Sequence, residues 1–274
     1  MKKKLIIILL IFIILPLTSC SGNSDKEKTV SRQTPLPSKE DSRMLMMEKL
    51  TLDLPEEIRK TILDDINGFM DQIALVLKLP TDTFLLADKQ NFLGADYKPD
   101  DIVMLTDYPD LDLSRDDRSL REILIPDLLR MVEDARKEGL TLLISSAYRS
   151  YEYQDRLFKW NVEQNGLETA ERESARPGTS QHQLGTAIDF GSITDEYAFT
   201  PPGKWLLKNA WKYGFSLSYP DGYEELTGYR SEIWHYRYIT PEAAKLQRDY
   251  FGDIQHYLLL FLNDNREELK KLVN

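Results

Sequence analysis

A single cysteine, Cys20, limits how this chain can be held together. No internal disulfide can form, and no multi-cysteine zinc or iron–sulfur site can be built, so the fold must rest on an apolar core. The 274 residues supply one: 42% are hydrophobic and 29% charged, a globular composition. Lys and Arg number 35 against 45 Asp and Glu, a net charge of −10 with no basic block. Nucleic acid is excluded as a partner, because its phosphates must be met by clustered cations. Histidine is scarce as well, with only His182, His235 and His256.

The N-terminus reads as an address. Lys2, Lys3 and Lys4 precede an apolar run over residues 5–15, and Leu17-Thr18-Ser19-Cys20 follows, the order of an export signal. The run is too short for a good spanning helix. Cysteine just after Leu-Thr-Ser resembles a bacterial lipobox, which implies a lipoprotein signal peptide over residues 1–19, cleavage before Cys20 and a lipid on its sulfur. The protein is then expected outside the cytoplasm, anchored to the bacterial membrane. Losing residues 1–19 removes three lysines and no acid, which moves the charge from −10 to −13. Residues 20–42 are rich in Ser, Lys, Pro and Thr and have almost no large apolar side chains, the composition of a flexible tether.

Beyond residue 42 the patterning is that of one α+β domain. Ile58, Ile62, Ile66, Phe69, Ile73 and Val76 recur at three- and four-residue steps, which predicts a helix over 54–79 ended by Pro80. A second helix carries Leu128, Leu129, Val132 and Ala135, with Pro126 in its first turn and Gly139 past its end. A buried strand is expected over 141–145, helices over 151–165 and 204–213, and short strands over 187–190 and 232–239. Thr240-Pro241 offers an N-cap followed by proline, so the remainder reads as amphipathic helix. The organisation is an N-terminal helical extension (43–83), a domain (84–250) and a C-terminal helix (251–274). Amphipathic stripes such as those at the two ends usually face their own core, and docking of a partner is the other reading. The oligomeric state is left open, with a monomer as the expectation.

Two histidines sit in segments dense with polar and aromatic residues. Neutral imidazoles and a carboxylate suit Zn²⁺, and His182, Asp189 and His235 make the three-ligand set that leaves a fourth position open. The odd spacing of His182 and Asp189 would turn them to opposite faces of one strand. Gly185 lets the chain bend, which predicts His182 in a loop and Asp189 on the strand that follows. Glu232, three residues before His235, is the natural general base. On spacing alone a satisfied core histidine and a solvated glutamate explain these residues equally well.

Three segments read in order change the balance: Ser145-Ser146-Ala147-Tyr148-Arg149-Ser150-Tyr151-Glu152-Tyr153-Gln154, then Pro177-Gly178-Thr179-Ser180-Gln181-His182-Gln183-Leu184-Gly185-Thr186-Ala187-Ile188-Asp189, then Glu232-Ile233-Trp234-His235-Tyr236-Arg237-Tyr238. Together they resemble the motifs of the VanY-like zinc D-alanyl-D-alanine carboxypeptidases, over about residues 84–245. Ala147, Ile233 and Thr240 depart from it, at places where glycine, proline and glycine are common.

The resemblance implies a single zinc-peptidase domain of the D-Ala-D-Ala carboxypeptidase and hedgehog-like type. It implies His182, Asp189 and His235 as zinc ligands and Glu232 as base. Arg149 would bind the substrate's terminal carboxylate or the oxyanion. Ser180 and Gln154 would line the substrate site. Trp234, Tyr236 and Tyr148 read as packing residues, Arg237 as the partner of an acid, and His256 as surface or packing. The expected reaction is removal of the terminal D-alanine from a peptidoglycan stem peptide. LD-carboxypeptidase, endopeptidase or dipeptidase action shares the metal motif, and the loops over 165–176 and 216–231 would set which bond is cut. A wall-binding lipoprotein without turnover is the alternative from another class, and the presence of both histidines, Asp189 and Glu232 counts against it.

Overall fold

The computed structural model describes residues 38–273, so the lipobox, Cys20 and most of the expected tether lie outside the described residues. Helix α1 (Lys39–Leu50) begins inside the stretch expected to be tether. It starts there because Ser38 and Asp41 cap each other: the serine hydroxyl accepts from Asp41 N at 3.0 Å and the carboxylate accepts from Ser38 N at 3.1 Å. The stretch expected to be one helix is two, α2 (Glu56–Asp64) and α3 (Ile66–Val76). Asp65 breaks it, leaving helical geometry so that its carboxylate accepts from Gly68 N and caps α3. The apolar stripe runs across this break, which is why periodicity alone joins the two.

A short hairpin follows, β1 (Ile102–Met104) against β2 (Ser119–Arg121), and then α4 (Ile125–Lys137). Next come β3 (Ile144–Ser146), α5 (Tyr151–Asn165), α6 (Leu167–Glu173) and β4 (Ala187–Phe190). The chain continues through α7 (Pro201–Asn209), β5 (Phe215–Leu217), α8 (Glu224–Thr227) and β6 (His235–Tyr238), and ends in α9 (Pro241–Tyr250) and α10 (Gln255–Val273). Strands β3, β4, β6 and β5 form, in that order, an antiparallel sheet.

Strand alternation sorts this sheet into two faces. Ile188, Phe190, Tyr236 and Tyr238 point into a core shared with Leu128 and Val132 of α4. Asp189 and His235 are therefore on the other face. A second core joins the two ends of the chain: Phe69 of α3 lies 5.3 Å from the ring of Tyr250, 6.2 Å from Phe251 and 5.9 Å from Phe261. The terminal helices thus pack as part of the fold. Among the described residues no helix is long and apolar enough to cross a membrane.

Two buried arginines strap the segment between the cores. Arg266 donates to the carbonyls of Leu77 and Leu79, and Arg237 to those of Thr83 and Leu85 at 3.0 and 2.7 Å. Arg237 was expected to meet an acid and instead serves backbone carbonyls, which in a helix-to-strand connection have no ladder partner. Burial pushes its pKa down to about 10. Thr240 sits at φ 75°, a region costly for a β-branched residue. Its side chain caps α9 by accepting from Ala243 N at 3.3 Å.

Phe69→Ala should lower stability by about 3–5 kcal/mol in urea unfolding, the cost of emptying a buried aromatic site. Phe199→Ala, at a side chain 74% exposed, should leave it within about 0.5 kcal/mol. Equal losses in the two variants would contradict a shared terminal core.

Candidate metal centre and substrate cleft

Asp189 and His235 are direct cross-strand partners in the β4–β6 ladder. His182 joins them from a 3₁₀ turn over Gln181–Leu184, and Gly185 at φ 69° reverses the chain into β4. A Cβ at Gly185 would stand 2.7 Å from Ile102 Cδ1 and 2.9 Å from Arg121 Cγ, so close packing against the β1–β2 hairpin demands glycine as well. One ligand atom from each of His182, Asp189 and His235 lies within 4.8 Å of the others, and all three residues are buried.

The donor atoms converge without satisfying one another. Asp189 Oδ2 is 3.2 Å from His182 Nε2, and Oδ1 is 3.0 Å from His235 Nδ1. His182 Nε2 and Asp189 Oδ1 are nevertheless buried without a hydrogen-bond partner. Unpaired buried donors and acceptors are costly, and a cation among them would remove the cost. His182 Nδ1 is 2.6 Å from the carbonyl of Ala147, which must accept its proton, so Nε2 carries the lone pair toward the cluster. Burial, reinforced by the charge of Arg149, lowers the His182 pKa to about 4, so the ring is neutral at physiological pH. Burial would raise Asp189, but the neighbouring imidazoles overcome it and hold the carboxyl well below its usual range. Two imidazoles and one carboxylate are the donor set of a divalent transition metal.

These groups lie in a cleft of about 660 Å³. Glu232 lines it, with Oε2 3.5 Å from His235 Nδ1. Arg149 lines it as well, with Nη2 3.6 Å from Asp189 Oδ2. Ser180 lines the cleft too, but its hydroxyl accepts from His182 N at 3.3 Å and shapes the turn. Gln154, expected against substrate, is fully buried outside the cleft lining. Its amide nitrogen donates to Ala175 O at 2.7 Å and its oxygen accepts from Arg149 at 3.1 Å, so it orients the guanidinium. His256 is packing, buried 3.8 Å from Asp88. Tyr219, whose ring is 4.8 Å from that of His235, and Gln181, which meets the same imidazole, were not singled out in the sequence. Tyr219 lies in the 216–231 loop expected to wall the pocket, and Gln181 was visible only as a neighbour of His182.

The family model for VanY, D-alanyl-D-alanine carboxypeptidase, matches residues 117–241. The putative carboxypeptidase YodJ of Bacillus subtilis (strain 168) is 35% identical over 188 residues, which cover 65% of this chain and 67% of YodJ. This chain belongs to the VanY-like carboxypeptidase family. Among solved structures, the LdcB LD-carboxypeptidase is 34% identical with a TM-score of 0.55, over 62% of this chain and 85% of that one. The D,D-pentapeptidase VanY from a VanB-type resistance cassette, solved as a mutant in complex with Zn(II), is 28% identical with a TM-score of 0.53 over 65% of this chain and 99% of that one. The matched stretch holds every strand of the four-stranded sheet and the whole His182, Asp189, His235 cluster, whereas the second core lies largely beyond it.

Burial raises the Glu232 pKa from 4.5 to about 7. The metal-free folded chain therefore holds a proton that the unfolded chain releases, a stabilisation present below about pH 4.5 and lost as pH rises through 7. Metal-free Glu232→Gln, neutral at every pH, should gain thermal stability over the parent between pH 4.5 and 7, to a plateau of about 5 °C. Melting curves that differ by the same amount at all pH values would contradict the assignment.

Proposed function

We propose that this protein is a zinc carboxypeptidase, held at the outer face of a bacterial membrane by a lipid on Cys20, that removes the terminal D-alanine from peptidoglycan stem peptides. The observation that carries the reading is the convergence of His182, Asp189 and His235 on one buried point beside Glu232 in an open cleft. His182, His235 and Asp189 would hold the metal, through two imidazole nitrogens and a carboxylate oxygen. A zinc ion held there supplies Lewis acidity toward water and toward the scissile carbonyl.

Glu232 takes a proton from the attacking water and returns it to the leaving amine, a role suited to a carboxyl whose proton affinity burial has raised. A cation held by His182, Asp189 and His235 would favour the ionised form of Glu232, the form that accepts a proton. Arg149 supplies a permanent positive charge to the substrate's terminal carboxylate or to the oxyanion, and Gln154 fixes its direction. With a charge of −13 after loss of residues 1–19, the protein repels anionic substrates at long range, so recognition rests on these local cations. The lipobox is what supports the anchor and the extracytoplasmic location.

One observation favours a second reading. LdcB, an LD-carboxypeptidase, shares more identity with this chain than the zinc-bound VanY does. Cleavage of the tetrapeptide instead of the pentapeptide would follow from the same site with different cleft walls.

Incubation with muramyl pentapeptide and tetrapeptide, followed by mass spectrometry, should show zinc-dependent loss of D-alanine from the pentapeptide. Loss from the tetrapeptide alone would establish LD specificity, and loss from neither would overturn the carboxypeptidase reading. Glu232→Ala should retain zinc and lose about 10²–10⁴-fold in kcat. In Arg149→Ala, a fall in kcat assigns the guanidinium to the oxyanion, and a rise in KM with kcat kept assigns it to the carboxylate.

A further inference from the structure

The two histidines of the cluster are oriented by different means. His182 is held by a backbone carbonyl, which the fold itself provides. The His235 ring turns Nδ1 toward Asp189 and Glu232, and its other nitrogen, Nε2, lies 3.2 Å from Gln181 Oε1. That oxygen accepts a second bond from the hydroxyl of Ser218 at 2.7 Å. The same hydroxyl forks to Gln255 Oε1 at 3.2 Å, and Gln255 Nε2 donates to Ser216 O at 3.2 Å. Gln181, Ser218 and Gln255 are all buried. Gln255 opens α10 and lies beyond the stretch matched by the family model, residues 117–241.

We infer that Gln181 is a positioning residue: its amide oxygen holds the Nε2 proton of His235 and so commits Nδ1 to the metal, and Ser218 and Gln255 hold Gln181. The inference rests on the zinc reading above. An imidazole with one proton has a single lone pair, and which nitrogen bears it is decided by what the other nitrogen meets. An amide oxygen can only accept, so it selects the Nε2–H form. Ser218 donates to that oxygen at 2.7 Å, which supports the orientation that turns it to the ring, and the fork of the same hydroxyl to Gln255 links the pair to α10. The opposite tautomer would put a proton on Nδ1, where it would block the metal. The C-terminal helix therefore does more than close the second core, because its first residue anchors the chain of side chains behind a metal ligand.

The test uses the zinc-loaded protein labelled with ¹⁵N-histidine. Long-range ¹H–¹⁵N spectra should show His235 protonated at Nε2 and metal-bound through Nδ1, with His182 the reverse. His235 bound through Nε2 would overturn the inference and leave the zinc reading standing, whereas failure of the wild-type protein to bind zinc would overturn the reading it rests on. In competition with a chromophoric chelator, Gln181→Leu should bind zinc about 10–100-fold more weakly. Gln181→Glu, which keeps an acceptor, should return to within about threefold of wild type, and Gln255→Leu should weaken binding in the same direction as Gln181→Leu. Unchanged zinc affinity in Gln181→Leu, or a Glu variant as weak as the Leu variant, would contradict the positioning role.

Discussion

The pairing of β4 with β6 is the constraint on which the rest depends. It sets a buried carboxylate, Asp189, directly across from a buried imidazole, His235, on a sheet whose opposite face is packed with Ile188, Phe190 and Tyr236. A one-residue slip would exchange these faces, burying the acid in the apolar core and presenting Tyr236 to the cleft. The apolar face is therefore what holds the polar one in register. A buried carboxylate costs several kcal/mol unless its neighbours compensate it, as the two imidazoles beside Asp189 begin to do. Arg149 compensates in part from 3.6 Å away, and a divalent cation would complete the balance.

The helical extensions bear on the site through this sheet. β6 runs straight into α9, and α9 packs with α3 and α10 in the second core, so the strand that carries His235 is fixed at its far end by residues from both termini. Arg237, one strand step from His235 on the same face, ties β6 to the backbone at Thr83 and Leu85. The ligand thus stands between two anchored points. Rigid support of this kind matters at a metal centre, where displacement of a donor by a fraction of an ångström weakens binding.

Much of this was legible in the residue pattern, and the gaps have physical causes. Strand β4 and helix α5 lie where alternation and capping place them, and His182 does sit in a turn before Gly185 with Asp189 on the strand that follows. The cluster was legible because metal chemistry needs particular residue types and because three ordered motifs resembled one family. The helix break at Asp65 was not, since capping competes with periodicity through one side chain. Nor were the partners of Arg237 and Gln154, because burial turns a cation or an amide toward backbone carbonyls that no residue code displays. Gln181 and Tyr219 became visible only when loops distant in sequence met at His235.

The central claim is that His182, Asp189 and His235 hold a zinc ion where Glu232 can reach its water. Anomalous diffraction at the zinc edge from crystals of the zinc-loaded protein tests it most directly. The account predicts one strong peak bounded by His182 Nε2, an Asp189 carboxylate oxygen and His235 Nδ1, with the Glu232 carboxylate close by but not among the ligands. A peak bounded by other residues, or none within this cleft, would contradict it.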